Sequence, residues 1–158
     1  MGADRHIAIA GGGVAGLTAA LAIAGPETQV TVFEQADSLE EVGAGLQVSP
    51  NAWRVLDALS VAETIEPLSV APDAIRMRRG HDARLIARVP LGNAAIARWG
   101  APYRVVHRAD LQAALLKAIG EQSGIRIELS AAVDGYRVDG DEVHVRFQDD
   151  SSCLLHTS

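Results

Sequence analysis

Gly11, Gly13 and Gly16 stand in a G-x-G-x-x-G spacing within residues 10–17, and this stretch constrains the chain more than any other. It follows an apolar run at residues 6–10 and precedes residues 14–25, which carry no charge. The pattern predicts a strand, a tight turn and a helix. Gly11 permits the turn, Gly13 lets a pyrophosphate approach the backbone, and Gly16 lets the helix pack close on the strand. The unpaired N–H groups and positive end of the helix then face the phosphates. Such a motif is specific only when a second strand ends in an acid about 20 residues on. Residues 29–34 form a short β-branched run closed by Glu34, with seventeen residues between Gly16 and Glu34. The whole reads as a compact βαβ unit in which Glu34 accepts hydrogen bonds from ribose hydroxyls and disfavours a 2′-phosphate. A glycine-rich turn that binds nothing is the alternative. It fits worse, because strand, glycines, uncharged helix and acid all fall at the required offsets.

At 158 residues and 48% hydrophobic, the chain has the size of one domain with a real core. A single cysteine, Cys153, excludes an internal disulfide, and the charged residues 1–6 do not suit a secretory signal. A cytoplasmic compartment is therefore expected. The uncharged run 7–26 is broken by glycines, so no membrane span is expected. The net charge of −6 is unevenly spread: residues 1–75 carry two arginines against ten acids, and residues 109–158 four basic residues against nine. Between them, residues 76–108 hold eight arginines and only Asp82 as an acid. This basic island suits an anionic ligand. Nucleic acid is the competing partner, given Trp99 and Tyr103 among the arginines, but the rest of the chain is acidic and shows no nucleic-acid motif.

Further along, Gly43 and Gly45 precede an alternating stretch to Ser49, a pattern for backbone passing close to something flat. Ser49-Pro50 reads as an N-cap with proline at the first helical position, opening a helix to Leu59 with Ala52, Leu56 and Leu59 on its apolar side and Trp53 in the core. Residues 75–78 and 84–89 read as a hairpin of a second sheet, its arginines on a wet face, residues 93–102 as irregular, and 104–107 as a strand. Residues 108–119 form an amphipathic helix, with Leu111, Ala114, Leu115, Ala118 and Ile119 on one side and Gly124 marking its end. Arg108 at its start opposes the helix dipole by roughly 0.3–1 kcal/mol. Either Asp110 or a bound anion beside Arg108 offsets that cost. Residues 125–129 read as the next parallel strand, and 133–138 and 142–147 as a hairpin around Asp139-Gly140. Residues 149–158 carry no predicted element. Five scattered histidines and one cysteine give no metal site, and no G-x-S-x-G elbow or lysine-bearing phosphate loop occurs. The chemistry must come from a cofactor.

Three stretches together, residues 11–16 with Glu34, residues 43–52, and residues 103–111, resemble the single-component FAD-dependent aromatic hydroxylases of the salicylate hydroxylase and 3-hydroxybenzoate 6-hydroxylase branch. The resemblance implies an α/β fold: a Rossmann-like, glutathione reductase-type FAD-binding sheet with helices, and the first strands of a substrate-domain sheet. It divides the chain into 1–72 and 101–158 for FAD and 73–100 for the substrate domain. Gly11, Gly13, Val14, Ala15 and Gly16 would hold the pyrophosphate, and Glu34, with Gln35 beside it, the adenosine ribose. Arg108 would reach the pyrophosphate and ribityl region, Val133 the adenine through its backbone, and Gly45 and Gln47 the flavin. None of these is a catalytic residue. The implied reaction uses NADH or NADPH to reduce FAD and O2 to hydroxylate a small aromatic, phenolic carboxylate-like substrate. The family's later G-A-D-G and G-D segments are missing, so the chain reads as an N-terminal portion with weak FAD affinity and little activity alone. Another FAD-dependent oxidoreductase, such as a flavin amine oxidase, and a truncated dinucleotide-binding module without activity remain as alternatives.

Overall fold

Short apolar runs separated by glycine, proline and charged turns set the order of elements. The computed structural model describes residues 5–39, 44–140 and 142–156. In chain order these form β1 (Arg5–Ala10), α1 (Val14–Ile23), β2 (Thr28–Phe33), β3 (Gly45–Val48), α2 (Pro50–Ala58), α3 (Ala62–Ile65), a 3-10 turn at Glu66–Leu68, β4 (Ala74–Arg78), β5 (Leu85–Pro90), α4 (Asn93–Trp99), β6 (Arg104–His107), α5 (Arg108–Gly120), β7 (Ile125–Glu128), β8 (Val133–Asp139), β9 (Glu142–Phe147) and β10 (Ser152–His156). Contacts divide the chain into two units, Met1–Glu41 with Leu115–Ser158, and Val42–Ala114. These cuts follow packing, whereas the division at 72/73 and 100/101 expected from sequence follows assigned roles.

In the first unit β1, β2 and β7 form a parallel sheet in the order β1-β2-β7. Its alternation separates two faces. Ile7 and Ile9 pair with Val30 and Val32, and this face packs on α1 through Ala20. Val30, Val32, Leu17 and Ala20 are at most 1% exposed; burying each larger side chain stabilises the fold by roughly 1.5–3 kcal/mol. An uncharged α1 is what this position demands. The other face carries His6, Ala8, Ala10, Thr31 and Phe33. There β8, β9 and β10 form an antiparallel sheet, and Phe147 of β9 meets Phe33 edge-on at 5.0 Å. Gly140, at φ +61°, supplies the left-handed backbone of the β8–β9 turn.

In the second unit β3 pairs antiparallel with β6, and β4 with β5 in a separate two-stranded sheet. Val48, Val106, Trp53, Leu56, Ile65 and Ala95 are buried. Arg104 clamps this unit: its guanidinium lies 5.2 Å over the Trp53 ring, pairs with the Glu66 carboxylate and donates to Ser69 Oγ at 3.3 Å. Its Nε is buried without a partner among the described residues, an unmet donor that offsets part of the gain. Arg104→Ala is therefore expected to destabilise the chain by about 1 kcal/mol in urea unfolding, through lost packing on Trp53 more than through the half-exposed ion pair.

Four local expectations differ from the structure. Residues 93–99, read as irregular, form α4, because alanines favour helix, Ala95 is fully buried, and Gly100 at φ +72° ends the helix in a left-handed cap. α5 ends at Gly120 rather than Gly124; Glu121 and Gln122 donate back to the carbonyls of Ala118 and Ile119 in a tightened last turn, and Gly124 instead accepts from the Val30 N–H of β2. Ser49 sits at the N-cap of α2 with Pro50 following, but its hydroxyl donates to Asn51 Oδ1 and does not cap the backbone. The final stretch forms β10, in register with β9 from Ser152 opposite Arg146, with Leu155 buried.

Candidate dinucleotide site

The turn after β1 is built from backbone. Gly11 N–H donates to Phe33 O at 2.7 Å, extending the β1–β2 ladder, and Gly11 then turns at φ +104°, a conformation other residues rarely adopt. Gly13 is the N-cap of α1, and its carbonyl receives the first helical bond, from Leu17 N–H at 3.0 Å. The N–H groups of Val14, Ala15 and Gly16 precede that ladder and have no carbonyl four residues back inside the helix. No acidic residue lies in this first turn. The glycines differ in what surrounds them. A methyl built on Gly16 would stand 1.9 Å from the Gly11 carbonyl oxygen, whereas one built on Gly13 meets nothing within 4 Å. Gly16 is therefore required by packing; Gly13 faces open space at the positive end of the helix.

Glu34 follows β2 directly and is fixed at the same turn. Its Oε2 accepts from Gly12 N–H at 2.6 Å and its Oε1 from Ala36 N–H at 2.9 Å. The bond from Ala36, then that from Gly12, hold the carboxyl below the ordinary glutamate range, outweighing the opposing effect of burial. A carboxylate accepts about four hydrogen bonds, so both oxygens retain capacity after these two. Gly12, inside the 11–16 stretch, is the partner that ties the acid to the turn. A methyl there would meet Leu39 Cδ2 at 3.0 Å and Glu34 Cβ at 3.1 Å. The run of three glycines was the available signal.

Because the folded-state value is depressed, the stabilisation by Glu34 is fully present above its ordinary value of 4.5 and is lost as pH falls below it. The difference in urea midpoint between the native chain and Glu34→Gln is expected to stay constant from about pH 7 to 5 and to shrink below about pH 4.5.

The first unit thus gathers Gly11, Gly13, Val14, Ala15, Gly16 and Glu34 around one turn, with Gln35 exposed beside it. Ser130 and Ala131 donate backbone N–H groups to Ala36 and Glu34, at 2.9 and 2.8 Å, so the chain leading to Val133 runs alongside the acid. Val133 itself lines an apolar cavity of about 290 Å³ with Ala8, Ala10 and Phe33, on the sheet face opposite α1. In the second unit Gly45 lies opposite His107 and Gln47 opposite Val105 across β3 and β6. Tyr103 Oη, at the start of the 103–111 stretch, donates to Gln47 Oε1 at 2.6 Å. Arg108 opens α5 with its N–H on Ala44 O at 3.3 Å. Gly43 lies outside the described residues.

Several arginines of the basic island are engaged within the second unit. Arg78 donates to Ala83 O, Arg79 faces Asp82 at 3.6 Å, Arg98 stacks on Trp99 and Arg104 holds Glu66. Among the described residues no three metal-ligating side chains cluster, and no helix is long and apolar enough to cross a membrane.

No family model matches the chain. It is 38% identical over 147 residues to 3-hydroxybenzoate 6-hydroxylase of Polaromonas naphthalenivorans strain CJ2, a match covering 93% of this chain and 36% of that protein. The identity, the residues matched and both shares are the same for 3-amino-4-hydroxybenzoate 2-monooxygenase PtmB3 of Streptomyces platensis. Among solved structures, Klebsiella pneumoniae HpxO complexed with FAD and uric acid superposes with a TM-score of 0.79 at 24% identity, over 95% of this chain and 37% of that one, a likeness of fold. The chain spans about a third of the length of the curated relatives it matches. By sequence the chain is a relative of the 3-hydroxybenzoate 6-hydroxylases and aminohydroxybenzoate monooxygenases, matching about a third of their length, and it shares its fold with the FAD-bound HpxO structure.

Proposed function

We propose that the chain holds FAD by its adenosine diphosphate half and is the cofactor-binding part of an aromatic-ring monooxygenase. The observation that carries this reading is the contrast within the glycine turn. Gly16 is consumed by packing, Gly13 faces open space at a helix N-terminus, and Glu34 is fixed on the N–H of Gly12 in the same turn. The residues fit the group: N–H donors at Val14, Ala15 and Gly16 suit a pyrophosphate, and the remaining acceptor capacity of Glu34 suits ribose hydroxyls. The segment at Gln35 and Val133 would meet the adenosine. In the other unit, Gly45, Gln47 and Arg108 are the residues assigned by family resemblance to the flavin and ribityl end.

When bound, FAD supplies the redox chemistry, passing electrons from NADH or NADPH to O2. The relatives' names point to a phenolic carboxylate as the class of substrate. The β1-β2-β7 sheet is the Rossmann-like core in this reading, of glutathione reductase type, within residues 1–72 and 101–158. The β4–β5 pair begins the substrate-domain sheet within 73–100.

Titration of the chain with FAD and with ADP, followed by calorimetry, tests the reading. Saturable binding of both is expected, with a 2′-phosphorylated ADP at least tenfold weaker because its phosphate meets the Glu34 carboxylate. Equal binding of the 2′-phosphorylated ligand, or no binding of any, would refute it.

A further inference from the structure

Gln47 and Tyr103 lie on one face of the β3–β6 pair, with Gly45, Val105 and His107, while Val48 and Val106 on the opposite face are buried. The face is low where Gly45 sits: even a methyl there would only touch Val105 Cγ1, at 3.6 Å. Gln47 lies directly across from Val105, so Tyr103 is its diagonal neighbour, the separation at which a long aromatic side chain reaches across a strand pair. The phenol donates to Gln47 Oε1 at 2.6 Å. An exposed glutamine amide otherwise rotates freely and presents either end. With Oε1 engaged, the two N–H groups of Nε2 remain as donors, and among the described residues nothing accepts from them.

We propose that Tyr103 is a positioning residue that locks the Gln47 amide, so that Nε2 is presented as a fixed hydrogen-bond donor to a carbonyl or ring nitrogen of the flavin. This rests on the FAD reading above. It goes further in assigning the amide, its orientation and the phenol that sets it. Fixing a donor in advance spares the ligand the entropy of ordering it, so the contribution is to binding of the flavin end alone.

The test compares FAD with ADP, which lacks the flavin, on the 158-residue chain, on Tyr103→Phe, on Gln47→Leu and on the double variant. Tyr103→Phe keeps the ring and removes only the hydroxyl. It is expected to weaken FAD by about 3- to 10-fold, the range of one neutral hydrogen bond, and to leave ADP within about twofold. Gln47→Leu should lose at least as much, and the double variant no more than Gln47→Leu, because both changes remove one unit. The visible absorption of bound FAD should move in Tyr103→Phe as in Gln47→Leu.

An equal loss of ADP in Tyr103→Phe would make the phenol merely structural and overturn the proposal. So would unchanged FAD affinity, or additive losses in the double variant. If the native chain binds ADP and FAD equally, the diphosphate site stands while the Gln47 donor falls. If it binds neither, the FAD reading fails and this proposal fails with it.

Discussion

Replacing Gly16 with alanine is expected to destabilise the chain by about 3 kcal/mol and to abolish ligand binding as a consequence. The added methyl would lie 1.9 Å from the Gly11 carbonyl oxygen, a backbone atom that cannot rotate aside. Relief requires α1 to lift from the turn, and α1 carries Leu17 and Ala20 into the core. Urea unfolding should show a lower midpoint with an unchanged slope if the native state stays compact. A Gly16→Ala chain as stable as the native one would show that the helix does not pack as described.

Gly13→Ala is expected to do the reverse: fold as the native chain does, within about 0.5 kcal/mol, and lose at least tenfold in ADP affinity. Gly13 has φ −73° and ψ 178°, extended backbone that alanine adopts readily, and a methyl there meets nothing within 4 Å. Alanine is a clearly poorer N-cap than glycine but restricts the unfolded chain by a comparable amount, and the two effects nearly cancel. The methyl would occupy the space through which a pyrophosphate reaches the N–H groups of Val14 and Ala15. Unchanged affinity measured by calorimetry would mean that the phosphates lie elsewhere. The same substitution three residues apart thus separates a packing glycine from a ligand-facing one.

Much of this was legible in the amino-acid sequence because it depends on local chemistry. The positive φ of Gly11, the close approach at Gly16 and the parallel pairing of β1, β2 and β7 follow from glycine spacing and β-branched runs that fix backbone geometry. What escaped depended on partners distant in the chain. The grip of Gly12 on Glu34 joins residues 22 apart, and Tyr103 reaches Gln47 across 56. α4 is too short for helical periodicity to register, and its helicity comes from burying Ala95 and from the left-handed Gly100. β10 carries Cys153, Leu154 and Leu155 beside polar turn residues, and its strand character comes from pairing with β9. The basic island was visible as charge, but the pairing of Arg104 with Glu66, 38 residues away, is a tertiary fact.

In the proposed function an adenosine diphosphate lies on the glycine turn with its ribose on Glu34. The most direct measurement is a backbone amide NMR titration of the isotope-labelled chain with ADP. The largest shift changes are expected on Gly13, Val14, Ala15 and Gly16, with a second group at Glu34 to Ala36, both saturating together. Saturating shifts centred on any other surface, with residues 13–16 unmoved, would contradict it.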